Sequence, residues 1–186
     1  MRRGLYFAPF DELANARVLA EVASHAEARG WDGLFLWDRI TYPPRERAVA
    51  DAWVALSAIA SVTERLRLGP MITPLSRRRV QKVARETVTL DHLSHGRLIV
   101  GVGLGNVDDL KPFGEVLDPR ERARLLDHGL NRLSEFWGGE FQPPPVQRPR
   151  IPIWVAANWP PSTADTTRGP LGRTVPDRSP RTKGTR

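Results

Sequence analysis

The chain has 186 residues, of which 40% are hydrophobic and 26% charged, the length and composition of an ordinary globular domain rather than of a disordered or fibrous protein. It contains no cysteine, which excludes disulfides, thiolate metal sites and cysteine nucleophiles and suits a reducing, cytoplasmic location. The net charge of +7 is concentrated in residues 160–186, and no apolar run approaches the roughly 18 residues of a membrane span, so neither nucleic acid nor a membrane is an expected partner.

The first part of the chain alternates short apolar runs with longer amphipathic ones. Residues 4–9 form a first predicted strand, and residues 15–29 follow with apolar side chains at helical spacing. Gly30 is placed to end this helix, because glycine adopts the left-handed conformation that commonly follows a helix. The apolar residues 33–37 then predict a second strand, which completes a strand–helix–strand unit.

A second unit of the same kind follows. Asp51 is a typical N-cap residue and precedes an apolar helical stretch, after which residues 66–72 predict a third strand broken by its Gly-Pro pair. Ser76 is a candidate cap for the next helix. The three arginines at residues 77–79 would then lie in the first turn, where the helix dipole disfavours cations, so they either contact an anionic group or remain solvated, and we favour solvation.

Two further strands and one further helix complete the pattern. Residues 97–103 predict the fourth strand. Asp118, followed by proline at the first helical position, begins a helix that reaches Trp137, and residues 151–156 predict the fifth strand. Five apolar strands separated by four helices predict an α/β fold with a parallel sheet that is covered on both faces.

The two histidines His92 and His95 are three residues apart, a spacing that invites a metal site. They lie in the turn that enters the fourth strand from its amino end, away from the strand exits where ligands bind in parallel α/β folds. A protonated imidazole suits the negative end of a helix dipole. We therefore expect these histidines to cap the preceding helix, and we expect no metal.

The chain changes character after Trp159. Residues 160–186 lose the apolar periodicity and contain six basic and two acidic side chains among many Pro, Thr, Ser and Gly residues. Such a segment cannot bury a core, so we expect a folded domain over residues 1–159 and a disordered basic tail over residues 160–186. The tail is interpreted either as a natural terminus or, in the favoured interpretation, as an aberrant end to a longer enzyme.

Polar or small residues follow four of the predicted strands. Asp38 follows the second strand, residues 71–73 the third, residues 103–106 the fourth and Asn158 the fifth. Because ligands bind beyond the carboxyl ends of parallel strands, these exits predict a pocket. No Ser-His-Asp arrangement and no paired carboxylates stand out at the exits, so a cofactor would have to supply the chemistry.

The glycines of the fourth strand resemble a dinucleotide-binding fingerprint but do not complete it. Asn106 occupies the position where the last glycine of G-x-G-x-x-G should stand, and Asp108 and Asp109 would repel a pyrophosphate. Gly101, Gly103 and Gly105 are better interpreted as a small-residue floor for a flat ring.

Three stretches together, residues 63–74, 84–87 and 90–103, resemble the luciferase-like monooxygenase family. The resemblance extends from about Gly4 to Asn158. It implies the N-terminal part of a (β/α)8 barrel that binds FMN or a deazaflavin coenzyme at its carboxyl face. From pattern alone, five strands and four helices would suggest a doubly wound, flavodoxin-like domain, and only the resemblance favours the partial barrel.

The resemblance also implies roles for particular residues. In the family the third strand often carries a bulge or an unusual peptide bond beside the flavin ring. The implied cofactor contacts are Met71, Ile72, Thr73, Gly103, Gly105 and Asn106. Asp38 is the implied catalytic or wall residue and Asn158 the implied substrate contact. Many relatives have histidine directly after the acidic residue, whereas this chain has Arg39.

The function predicted in this way is that of a flavin- or deazaflavin-dependent oxidoreductase or monooxygenase acting on a small organic substrate, with a homodimer as the assembly expected by analogy. A closed barrel needs about 250 residues and usually grips a phosphate with loops after its last two strands. The alternative is therefore a truncated, non-catalytic fragment of such an enzyme.

Overall fold

A computed structural model of the protein describes residues 1–42 and 47–156, so Asn158 and the tail over residues 160–186 lie outside the described residues. The strands are β1 (Gly4–Phe7), β2 (Gly33–Leu36), β3 (Arg67–Pro70), β4 (Thr73–Pro74), β5 (Val100–Gly103) and β6 (Ile153–Val155). The helices are α1 (Ala16–Ala28), α2 (Ala52–Val62), α3 (Val80–Leu93), α4 (Val107–Leu110) and α5 (Pro119–Glu135). None of the described helices is long and apolar enough to cross a membrane.

All the strand pairs are parallel, as the sequence predicts. β1 pairs with β2 and β2 with β3, while β4 pairs with β5 and β5 with β6. The two groups join where Leu68 bridges Leu98 and the Ile99 N–H donates to the Leu68 carbonyl at 2.9 Å. β3 lies within the predicted third strand (residues 66–72), β4 follows directly after it, and the five predicted strands follow one another in a parallel run.

The third strand is interrupted between β3 and β4. The peptide bond between Met71 and Ile72 is cis, which agrees with the irregular backbone that the family resemblance implies here. The Met71 N–H donates to the Leu36 carbonyl at 2.7 Å, and the Tyr6 hydroxyl donates to the Met71 carbonyl at 3.0 Å. Met71 is therefore held by both of the strands that precede it in the sheet.

The two faces of the sheet differ because successive side chains of a strand point to opposite sides. One set, including Leu34, Leu68 and Val102, packs under the helices in the main core. The opposite set carries Phe35 on β2 and Trp154 on β6, whose ring centroids lie 5.2 Å apart although two strands separate them in the sheet. The sheet must curve strongly to bring these rings together, which fits the predicted partial barrel with its inner face lined by the second set.

The helix signals were confirmed at two predicted starts and wrong at a third. Asp51 accepts a hydrogen bond from the Val54 N–H, and Asp118 caps α5. Ser76, however, lies in a 3-10 turn, Leu75–Arg77, and α3 begins only at Val80. Leu75 is buried against α5, and this packing, together with the ion pairs of the arginine after Ser76, keeps the turn out of the helix.

The amino edge of the sheet is held by buried polar groups. Arg97, which precedes β5, donates to the carbonyl oxygens of Ala60, Thr63, Leu66 and Ser94 at 2.6 to 2.9 Å. Burial lowers the pKa of Arg97, and the nearby carboxylates of two glutamates partly offset this effect. The Arg97 side chain thus joins the end of α2 to the starts of β3 and β5.

Asp91, at the end of α3, anchors the long connector to β6. Its buried carboxylate accepts hydrogen bonds from the N–H groups of Val146 and Gln147 and from the Gln147 side chain, at 2.7 to 3.1 Å. His92, in the last turn of α3, lies 2.8 Å from the Pro144 carbonyl through its Nε2. Within the described ranges, no group of three or more His, Asp or Glu residues is placed to hold a metal ion.

Glu27, at the end of α1, accepts hydrogen bonds from the N–H groups of Glu64, Arg65 and Leu66 at 2.7 to 3.1 Å. Burial raises the pKa of its carboxyl, but the three N–H donors and the Arg65 charge lower it more, so it lies below its ordinary value of 4.5. A lowered pKa means that the charged form stabilises the fold.

We expect Glu27→Gln to lower the free energy of unfolding at neutral pH by about 1–2 kcal/mol, because the charge-assisted hydrogen bonds become neutral ones. The native contribution is complete above the unfolded-state pKa and is lost as the pH falls through the lower folded-state pKa. Urea unfolding at neutral pH and at about pH 3 should therefore show the two proteins converging in acid. Glu21→Gln, on the exposed side of the same helix, is the control. An equal difference at both pH values would contradict the assignment.

Candidate active site at the carboxyl edge

Asp38 and Thr73, predicted at two different strand exits, are brought together in a buried cluster. The Thr73 hydroxyl donates to Asp38 Oδ2 at 2.7 Å, and the Trp53 indole N–H lies 3.1 Å from both Asp38 Oδ2 and Thr73 Oγ1. Thr73 is fully buried, and its hydroxyl is committed to Asp38.

Arg77 links this cluster to the loop after β5. Its Nη2 donates to Asp38 Oδ1 at 2.6 Å and to the Asp38 carbonyl at 2.9 Å, and its Nη1 pairs with Asp109. The Arg77 side chain is only 4% exposed, so the expectation that it remains solvated was wrong. Two buried carboxylates attract the guanidinium more strongly than water does in this position, and the pairing removes Arg77 from the helix start where cations are disfavoured.

Asp109, on the short helix α4, completes the network. Its Oδ1 accepts hydrogen bonds from the N–H groups of Ile40 and Thr41 at 3.0 and 3.1 Å, and its Oδ2 faces Arg77. Through these contacts the loops after β2, β4 and β5 are tied together. The carboxylate of Asp38 already has three close donors from the surrounding side chains, an environment that suits a fixed negative wall beside a ligand.

The glycines at this end of the sheet have two distinct functions. A side chain at Gly69 or Gly101 would collide with a backbone oxygen of the neighbouring strand, so these two glycines allow β3 and β5 to approach closely. Gly103 instead faces the tip of the Ile72 side chain, and Gly105 has a φ of +75° beside Pro74. The last two shape the exit of β5.

Asn106 and Arg122 hold the loop that leaves β5. The Asn106 side chain caps α4 by accepting a hydrogen bond from the Asp108 N–H at 2.9 Å, and the residue is exposed. Arg122, buried on α5, donates to the carbonyl oxygens of Leu104 and Gly105 at 3.0 Å. The loop is thus fixed from below while its outer surface remains accessible at the rim.

An aromatic cluster at the rim was not identified from the sequence. The rings of Tyr6 and Trp37 lie 6.0 Å apart, Phe10 and Tyr42 adjoin them, and the Arg39 guanidinium lies over the Trp37 and Tyr42 rings. Burial raises the pKa of Tyr6 to about 12 while the Arg39 charge lowers it, so its hydroxyl remains a hydrogen-bond donor at neutral pH. The alternation of side chains along β1 is the signal that places Tyr6 on the inner face.

Comparisons with known proteins agree with this geometry. The sequence profile of the luciferase-like monooxygenase family matches residues 4–170. An uncharacterised protein of Mycobacterium tuberculosis is 37% identical over 123 residues, which cover 58% of this chain and 43% of the relative. An F420-dependent glucose-6-phosphate dehydrogenase of Nakamurella multipartita is 31% identical over 125 residues, covering 66% of this chain and 37% of that enzyme.

Among solved structures, the coenzyme F420-dependent tetrahydromethanopterin reductase of Methanopyrus kandleri superposes with a TM-score of 0.71 at 20% identity, over 92% of this chain and 51% of that one. At this identity the likeness concerns the fold. The chain spans about half the length, or less, of the relatives that it matches. Because the family profile covers most of the sequence, and the fold agrees with it, the chain belongs to the luciferase-like monooxygenase family.

Proposed function

We propose that the protein is a flavin- or deazaflavin-dependent oxidoreductase of this family, acting on a small organic substrate. The observation that carries the proposal is the convergence of three strand exits on one rigid edge, where Asp38, Arg77 and Asp109 connect the loops. The F420-dependent relative supports a redox cofactor at this edge.

The residues present fit a flat, partly apolar ring. Tyr6 and Trp154 on the inner face are 49% and 45% exposed, so the inner face is accessible. A side chain at Gly103 would meet Ile72 and one at Gly105 would meet Pro74, so the two glycines let the residues after β3 pack closely against the exit of β5. FMN or F420, when bound, would supply the capacity to accept or donate hydride.

We assign the chain's own residues to binding and orientation. Met71 and Ile72, with Thr73 buried behind them, form one side of the proposed ring site, and Gly103, Gly105 and Asn106 form the other. Asp38 forms a polar side of the site, and hydrogen bonds from Trp53, Thr73 and Arg77 fix its carboxylate. Asn158 remains the proposed substrate contact and lies beyond the described residues. Arg39 stands where many relatives carry histidine.

The second candidate is a non-catalytic fragment, and the observation that favours it is the exposure of two inner-face aromatic rings. A sheet with unpaired edges tends to associate with other strands, so this candidate predicts uncontrolled self-association. A homodimer able to bind cofactor would instead favour the enzyme.

We expect Asn106→Leu to weaken the binding of FMN or F420 by roughly tenfold, about 1.4 kcal/mol, through the loss of a polar contact at the rim. Because this substitution also removes a helix cap, Asn15→Leu is the matched control: Asn15 caps α1 in the same way, by accepting a hydrogen bond from the Arg17 N–H. Fluorescence titration of both variants separates the two effects. Equal cofactor affinity in Asn106→Leu and the native chain would remove Asn106 from the site.

A further inference from the structure

A cavity of about 380 Å³ opens beside the buried cluster at the carboxyl edge. It is lined by residues 38–40, 49–51, 77 and 78. Three of these are arginines and two are aspartates, so positive side chains are in excess. This cavity is called the arginine pocket below.

Arg39 differs from the other arginines of the pocket. Its side chain is 12% exposed, and its Nε is enclosed without a hydrogen-bond partner. Across residues 1–42 and 47–156, no hydrogen bond from the Arg39 guanidinium to another group is found. A guanidinium carries five N–H donors, and enclosed donors in native proteins are nearly always satisfied. Among the described residues, the enclosed Nε of Arg39 departs from this rule.

The nearest acidic group does not meet this need. Asp109 lies 3.7 Å from Arg39 Nε, beyond hydrogen-bond distance, and its two oxygens are already engaged by Arg77 and by the N–H groups of Ile40 and Thr41. The Trp37 and Tyr42 rings lie 5.8 and 5.1 Å from the Arg39 guanidinium and hold its position. Arg39 is thus oriented by its surroundings, and its guanidinium donates no hydrogen bond to another described residue.

The aspartates of the pocket are also occupied. Asp38 accepts hydrogen bonds from Trp53, Thr73 and Arg77, and Asp51 caps α2 through the Val54 N–H. Arg78 is shared between Glu86 at 3.4 Å and Asp38 at 4.0 Å, so its charge is partly balanced. The charge of Arg39 is likewise partly balanced by Asp109 at 3.7 Å, but its guanidinium donates no hydrogen bond to another described residue and is therefore the one best placed to bind an incoming molecule.

We propose that Arg39 binds an anionic group of the substrate, a carboxylate or a phosphate, in the arginine pocket. The planar guanidinium matches both groups with two parallel hydrogen bonds, which an ammonium cannot do. The inference rests on the proposed function in assigning the anion to a substrate, and it gives Arg39 a recognition role in place of the acid–base role that histidine has in many relatives.

The test uses inorganic phosphate and acetate as probes, titrated into the full chain at constant ionic strength with tryptophan fluorescence as the signal, because Trp37 lies under Arg39. We expect saturable binding that is weakened roughly tenfold or more in Arg39→Gln, and to a smaller extent in Arg39→Lys, which keeps the charge and loses the planar fork. Arg79→Gln, at an exposed position of the same loop cluster, should leave binding unchanged. Thermal melts establish that each variant is folded.

Unchanged anion affinity in Arg39→Gln, or no saturable response in the native chain, would overturn the proposal. A parallel titration with FMN and with riboflavin, which lacks the phosphate, identifies the source of the anion. A loss of FMN affinity in Arg39→Gln without a loss of riboflavin affinity would assign the pocket to the cofactor and overturn the substrate assignment. A chain that binds flavin and not the small anions would refute only this inference, whereas one that binds anions through Arg39 and no flavin or F420 would refute the proposed function.

Discussion

Replacing Arg97 by methionine should destabilise the fold by about 3–5 kcal/mol, a large part of the roughly 5–15 kcal/mol that stabilises a typical domain. Methionine fills similar space but donates no hydrogen bond. The carbonyl oxygens of Ala60, Thr63 and Leu66 would lose their side-chain donor, and two of them belong to the end of α2, where the helix itself supplies no partner.

Thermal unfolding followed by circular dichroism measures this effect, with an expected fall in melting temperature of roughly 10–15 °C. Arg65→Met is the matched control, since the Arg65 side chain is exposed on the same side of the sheet and its change should cost little. A melting temperature of Arg97→Met within two or three degrees of the control, on the order of 1 kcal/mol, would show that the buried guanidinium is dispensable.

Replacing Arg77 by methionine should have a comparable effect at the carboxyl edge, again about 3–5 kcal/mol, because two buried carboxylates lose their shared cation. The side chains of Asp38 and Asp109 are 4% and 2% exposed, so water cannot replace Arg77 without opening the site. Arg79→Met, two residues away and exposed, is the control.

A double-mutant cycle identifies the cause of the loss. Asp109→Asn removes one of the two charges, so adding it to Arg77→Met should recover part of the stability, with a coupling of about 1–3 kcal/mol. Strictly additive losses from chemical denaturation would mean that Arg77 stabilises the fold by packing alone. The variants of this cycle should also alter hydrogen exchange at the backbone amides of Ile40 and Thr41, which donate hydrogen bonds to Asp109.

Much of the fold follows from local signals in the sequence. Asp51 and Asp118 are capping residues whose side chains reach backbone N–H groups two or three positions away, so neighbouring residues suffice to predict them. The start of α3 was mispredicted because it depends on contacts of Leu75 and Arg77 that are remote in sequence. α4, with four residues, is too short for helical periodicity to reveal.

The candidate site was predictable in position and only partly in detail. Parallel strands place their exits on one edge, which is why Asp38 and Thr73 could be expected near each other. The pairing of Arg77 with Asp109 joins residues 32 positions apart and has no local signature. Predicting that Tyr6 belongs to the site requires knowledge of which face of β1 points inward.

The three stretches that carry the family resemblance reach both edges of the sheet: residues 71–73 and 103 lie at the carboxyl edge, and residues 91–97 lie at the amino edge. Asp91 anchors the connector to β6, and Arg97 joins α2 to the third and fourth strands. In a barrel, the amino edge contributes stability and the carboxyl edge chemistry. The resemblance therefore reports the architecture directly, and the function depends on the residues at the carboxyl edge.

Size-exclusion chromatography of the purified chain, mixed in turn with FMN and with F420 and followed at the absorption of both protein and cofactor, tests the central proposal most directly. We predict a discrete monomer or dimer that carries one of the two cofactors, with less cofactor retained by Asn106→Leu than by Asn15→Leu. Heterogeneous, colourless aggregates, or a discrete species that retains neither cofactor, would contradict the proposal that this carboxyl edge is a redox cofactor site and would favour the non-catalytic fragment.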